Sequence, residues 1–138
     1  MEEQEELKQE LDTLNVALIF LLLVIFAILL SLWATLLQRD QLRLILKGED
    51  PSQIPPVNPI RLAVSAIIVG CSGYFLCLAL KAELAAQAGN DPSARRSARV
   101  NMVASLLALL AALLRQLDLQ TVERERQTLL LEETTLPD

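Results

Sequence analysis

Hydrophobic and polar positions fall into blocks along this chain. Val16–Leu37 is a run of 22 residues without a charge, 16 of them Leu, Ile, Val or Phe. At 1.5 Å per residue a helix over it reaches about 33 Å, enough to cross a hydrocarbon core of about 30 Å. A second apolar block, Leu62–Leu80, lies between Arg61 and Lys81 and is softer, with Ser65, Gly70, Cys71, Ser72, Gly73 and Cys77. Its helix covers about 29 Å. The third, Val100–Leu114, is fenced by Arg99 and Arg115. It gives only about 23 Å, so it crosses if the two Arg side chains snorkel outward or if it sits inside a bundle; otherwise it is re-entrant or interfacial. The chain opens with Glu2, Glu3, Glu5 and Glu6 and has no small-residue cleavage site after the first block, so that block reads as a span and not as a signal peptide.

Punctuation residues predict helices that outlast the bilayer. Helix 1 is expected from about Glu3 to Lys47, with Gly48 just past its end and Pro51 blocking continuation. Residues 51–59 hold four of the six prolines and predict an extended linker. Asn58 is placed to cap helix 2 with Pro59 in its first turn, and the helix is expected to end near Gly89. Asp91-Pro92 repeats that start for helix 3, and Pro137 closes it. A turn of a few residues between helices 2 and 3 makes them antiparallel neighbours. No strand pattern occurs. The expected fold is an all-α membrane protein with three transmembrane helices, helices 2 and 3 forming a tight antiparallel hairpin, and helices 1 and 3 extending beyond the bilayer. Its parts are an acidic amphipathic extension (1–13), span 1 with a basic end (14–47), a proline-rich linker (48–58), span 2 (59–88), span 3 (92–114) and an amphipathic C-terminal helix and tail (115–138).

Small residues suggest how these helices meet. Ala63, Ala66, Gly70, Gly73 and Cys77 make a heptad row on helix 2, and Asn101, Ala104, Ala108 and Ala111 lie on a matching row of helix 3 that runs from Ser97 to Asp118. Association in lipid relies on close backbone approach, so these rows are the expected packing seam. On helix 1 a register runs Leu7, Leu11, Leu14, Leu18, Leu21, Ile25, Ile28, Leu32 and, later, Leu42 and Leu46. Inside the span it proves nothing, because nearly every position is apolar. Outside it, Leu7, Leu11 and Leu14 stand among Glu and Asp and predict a contact with another copy or a short coiled coil. Leu129 and Leu130, with Leu131, are candidates for a second such contact.

Charge sharpens the picture locally. The net charge of −5 resides in the first twelve residues, and Thr13–Asp138 sum to zero. Arg39, Arg43 and Lys47 form an i, i+4, i+8 ladder suited to lipid headgroups. If all three blocks span, seven Lys and Arg lie on the linker side and five on the other, which favours the N-terminus outside and the C-terminus in the cytoplasm. Cys71 and Cys77 are about 9 Å apart along one helix and rotated by about 120°, too far to bond each other.

Candidate chemistry is sparse. The chain has no His, no charged residue inside a span and no nucleophile beside a base, so catalysis, proton relay and metal binding are not expected, nor is any cofactor. The mixed charges of the tail do not make a nucleic-acid arm, and no small-molecule substrate is indicated. Asn101, the most polar group at membrane depth, is expected to bridge helices 2 and 3. The expected function is a non-enzymatic, oligomeric structural or accessory subunit of a membrane assembly, with the bilayer and a second copy or complex subunit as partners. The alternative is a passive pore. In three spans, short connections, orientation and small size the layout resembles that of class I holins, a likeness of topology without a shared motif that implies bilayer permeabilisation.

Overall fold

A computed structural model describes residues 1–135 and contains three long helices, α1 (Glu2–Leu46), α2 (Asn58–Ala88) and α3 (Pro92–Thr135). All three are long and apolar enough to cross a membrane. At 45 and 44 residues, α1 and α3 reach about 65 Å, roughly twice the hydrocarbon thickness. The third apolar block is therefore no short isolated helix: α3 runs unbroken through both Arg99 and Arg115. Pro137 lies outside the described residues.

The helix ends follow from the residues at them. α1 stops in a Schellman arrangement, in which Gly48 takes φ 75°, its N–H donates to Ile45 O (3.0 Å) and the Glu49 N–H donates to Leu44 O (2.9 Å). Asp91 caps α3 by accepting the Ser93 N–H at 3.0 Å, with Pro92 as the first helical residue. Across that turn Arg95 donates to the free carbonyls of Gly89 (Nε, 3.0 Å) and Gln87 (Nη2, 3.2 Å), a cation placed at the end of α2.

Two local expectations are revised. Asn58 does not cap α2: Val57 already has helical angles and its carbonyl accepts the Arg61 N–H, leaving Asn58 as the first turn with no side-chain cap. The linker is not uniformly extended either. Pro51–Gln53 form a 3-10 turn, because Asp50 accepts both the backbone N–H (3.0 Å) and the hydroxyl (2.7 Å) of Ser52. Those two bonds, the hydroxyl first, hold the Asp50 carboxyl below its ordinary pKa.

α2 is the central element and packs against both α1 and α3, whereas among the described residues no Cα of α1 comes within 8 Å of α3. α1 and α2 run antiparallel: Arg61 donates to the Gln38 amide oxygen at one level, and Phe20 stacks on Tyr74 at another. The rings lie 4.0 Å apart and 5° from parallel, and the Cys71 thiol donates to Phe20 O at 3.7 Å. At the other end of α2, Glu83 meets Arg99 of α3 at 3.5 Å.

Burial traces the contact faces. On α1 the covered positions are Ala17, Phe20, Val24, Ala27, Leu30, Ala34, Leu37, Gln41 and Leu44. On α3 they are Ala98, Met102, Ser105, Leu109, Ala112, Gln116, Leu119 and Glu123, a strict alternation of three and four. That spacing is the 3.5-residue period of a left-handed crossing. Small residues recur one heptad apart on each face: Ala27 and Ala34 on α1, Ser65, Ser72 and Ala79 on α2, Ala98, Ser105 and Ala112 on α3. Five of the six buried hydrophobic residues are Ala or Cys, so close backbone approach is achieved with small side chains, as lipid demands.

Candidate functional site

The residues singled out from sequence lie largely outside these contacts. Ala63, Ala66, Gly70 and Cys77 are exposed and Gly73 half-buried on α2; Asn101, Ala104, Ala108 and Ala111 are exposed on α3. A Cβ added at Gly70 or Gly73 meets nothing within 4 Å. The α3 row sits one position before the observed face throughout (101, 104, 108, 111 against 102, 105, 109, 112), which is a rotation of about 100°. The physical reason is that Ala, Gly and Ser were common enough on α2 and α3 to draw more than one heptad. The contact is decided by the large residues between the small ones, such as Ile68, Met102 and Leu109, all half-buried. Asn101 accordingly points away from α2 and bridges nothing among the described residues.

The α1 register behaves in the same way. Leu18, Leu21, Ile25, Ile28 and Leu32 are all exposed and form an outward row, continuous with the exposed Leu7, Leu11 and Leu14. Arg39, Arg43 and Lys47 are exposed at the linker end of α1. Leu129, Leu130 and Leu131 are exposed on the last turns of α3.

Because no Cα of α1 comes within 8 Å of α3, the face of α2 between them floors a groove of about 620 Å³. Ser65, Ile68 and Ser72 of α2 form its floor, Ser31 of α1 one wall, and Ala108, Ala111 and Ala112 of α3 the other. Arg61, Arg115 and Asp118 line its linker-side end. Ser65 is only 4% exposed, and its hydroxyl has no hydrogen-bond partner. An unpartnered hydroxyl at that burial costs about 1–3 kcal/mol and is the one polar vacancy on the groove floor. A volume within the range of about 300–1,000 Å³ suits a small-molecule or single-chain ligand better than a further helix.

No family model, curated protein or solved structure matches the chain. Its own geometry therefore carries the functional reading.

One group escaped the sequence reading altogether. Glu83 is 7% exposed, receives the Gln87 amide at 3.2 Å and pairs with Arg99, while its Oε2 has no partner. It sits three residues beyond the second apolar block, outside the stretch in which an acid marks itself as a charge at membrane depth. Its signal was available: a lone acid on α2 opposite the basic group Arg95, Arg96 and Arg99 across a short turn. Arg99 is mostly exposed, so this pair is a clamp on the turn whose strength solvent reduces.

Proposed function

We propose that the chain is a non-enzymatic subunit of a membrane assembly, joined to a second copy or to another subunit through the outward row of α1. The observation that carries this is the exposure of Leu7, Leu11 and Leu14, at 64%, 57% and 57%, beyond the end of the apolar span. Lipid tails cover exposed leucines inside the bilayer, so those of Leu18–Leu32 need no protein partner. Leu7 and Leu11 stand in the aqueous zone among Glu5, Glu6, Glu10 and Asp12. Covering such a side chain contributes about 1–2 kcal/mol, and the row continues into the membrane in the same heptad register.

Within that reading α2 and α3 form an antiparallel hairpin clamped by Glu83 and Arg99, and α1 is the arm that presents the assembly row. Arg39, Arg43 and Lys47 anchor the linker end to anionic headgroups on the cytoplasmic side, with the N-terminus outside. Leu129, Leu130 and Leu131 supply a second contact on the cytoplasmic side. The exposed small-residue rows, from Ala63 to Cys77 and from Asn101 to Ala111, remain free for close approach by lipid or by a neighbouring helix.

Crosslinking of the full chain in its native membrane tests the assembly, with discrete dimer or partner bands expected and an exclusively monomeric product counting against it. Dye release from liposomes carrying the purified chain separates the subunit from the passive, holin-like pore. Retention of dye at every protein-to-lipid ratio supports the subunit, and leakage supports the pore.

A further inference from the structure

We infer that the groove between α1 and α3 is a binding site for one phospholipid molecule with a primary-amine headgroup, its phosphate held by Arg61 and Arg115 and its ammonium by Asp118. The inference rests on the three helices crossing a membrane and is independent of how the chain assembles.

The order of groups along the groove carries it. Arg61 and Arg115 fence the second and third apolar blocks at the same membrane boundary, and both line the groove's end. Arg61 uses one N–H on Gln38 and keeps the rest of its five donors, while Arg115 has no carboxylate within 4.0 Å among the described residues. Two such guanidinium groups suit a phosphodiester, whose oxygens accept forked N–H pairs. Asp118 lies one turn further out on the same face of α3, about 4.5 Å along the axis, and has no cationic partner among the described residues. A carboxylate there opposes a purely anionic headgroup and favours an ammonium lying on the water side of the phosphate.

Ser65 lies one turn inside Arg61, about 6 Å deeper, with its hydroxyl unpartnered. Beyond it the groove is bounded by Ile68, Ala108 and Ala111, with Ser72 on its floor, a mostly apolar wall suited to an acyl chain. Amine, phosphate and hydrocarbon thus meet carboxylate, guanidinium pair and a mostly alkyl wall in sequence. An apolar transmembrane helix would leave Arg115 and the remaining N–H donors of Arg61 without acceptors.

The test counts lipids retained by the purified full chain in detergent, by native mass spectrometry, with phosphatidylethanolamine, phosphatidylcholine or phosphatidylglycerol offered at equal concentration. One phosphatidylethanolamine per chain is expected. The choline lipid, whose methylated amine has no N–H to donate, and the glycerol lipid, which has no cation for Asp118, should each be retained about tenfold less. Arg115→Gln should reduce retention of all three, and Asp118→Asn should abolish the preference for ethanolamine over choline while keeping phosphate binding. Ala111→Trp, on an exposed helical position, should block the groove; Gly70→Trp, on an exposed face of α2 outside the groove lining, should not. Wild-type retention by Arg115→Gln or Ala111→Trp, or equal retention of several lipids per chain, would overturn the site. Preference for phosphatidylglycerol would overturn the assignment of the amine to Asp118.

Discussion

Ala34 on α1 gives the sharpest test of which helix faces meet. It is 1% exposed and lies one heptad from Ala27, the other point of closest approach to α2. Ala34→Leu adds three carbon atoms where no space exists, and either α1 must move away from α2 or the neighbouring side chains must leave their rotamers. Overpacking of this kind costs about 1–3 kcal/mol, a factor of about 5 to 150 in the equilibrium between packed and separated helices. Gly70→Leu is the control, because nothing lies within 4 Å of a Cβ built there. It should leave stability unchanged within about 0.5 kcal/mol or raise it slightly through helix propensity. Reversible unfolding in detergent mixtures of rising SDS content, followed in a Trp33→Phe background by the fluorescence of the single tyrosine, Tyr74, reads both. The Tyr74 ring stacks on Phe20, so separation of α1 from α2 changes its surroundings directly. A stable Ala34→Leu with a destabilised Gly70→Leu would refute the assigned faces and restore the glycine row as the seam.

Three further outcomes follow from single contacts. A double-mutant cycle on Phe20→Ala and Tyr74→Ala, read in the same SDS titration by the fluorescence of Trp33 of α1, should give a coupling of about 0.5–1.5 kcal/mol, and additive effects would remove the stack from the α1–α2 interface. Arg99→Gln should destabilise the α2–α3 turn, because Glu83 keeps its burial and loses its cation; Arg99→Gln combined with Glu83→Gln should recover part of the loss, and failure to recover would mean the pair does not clamp the turn. The Asp50 carboxyl is depressed below 3.8 in the folded chain, so the stability it gives the 3-10 turn is present above its unfolded pKa and is lost as pH falls through the lower folded value. The Ser52 amide resonance in micelles should be constant from pH 7 to 5 and shift with a midpoint below 3.8, and a midpoint above that value would contradict the two hydrogen bonds.

The helical architecture was legible because its signals are strong and local. A 22-residue uncharged run, Gly48 before Pro51 and the Asp91-Pro92 pair fix where helices begin, end and cross, and each rests on chain chemistry that tertiary contacts do not override. Rotation about the helix axis was not legible in the same way. In water, burial selects the apolar face; in lipid, apolar residues on both faces are equally content, and small residues occur on several. The row drawn through Ala108 therefore obeyed the right principle one position away from the observed face, and the row through Gly70 two positions away from Ser65, Ser72 and Ala79. The finer signal was the heptad recurrence of Ser65, Ser72 and Ala79 with Ala98, Ser105 and Ala112, flanked by larger side chains that interlock. The groove was invisible for a different reason: it exists because the backbones of α1 and α3 stay apart, and no local pattern encodes a separation.

Assembly through the outward face of α1 is tested most directly by a photoreactive residue placed in turn at Leu7, Leu11 and Leu14, with Phe20 and Ala34 as inward controls, in the full chain in its native membrane. Crosslinks to a second protein chain are expected from the three leucine positions and none from the two inward ones. Adducts to lipid or water alone at Leu7, Leu11 and Leu14, with the chain migrating as a monomer, would contradict it.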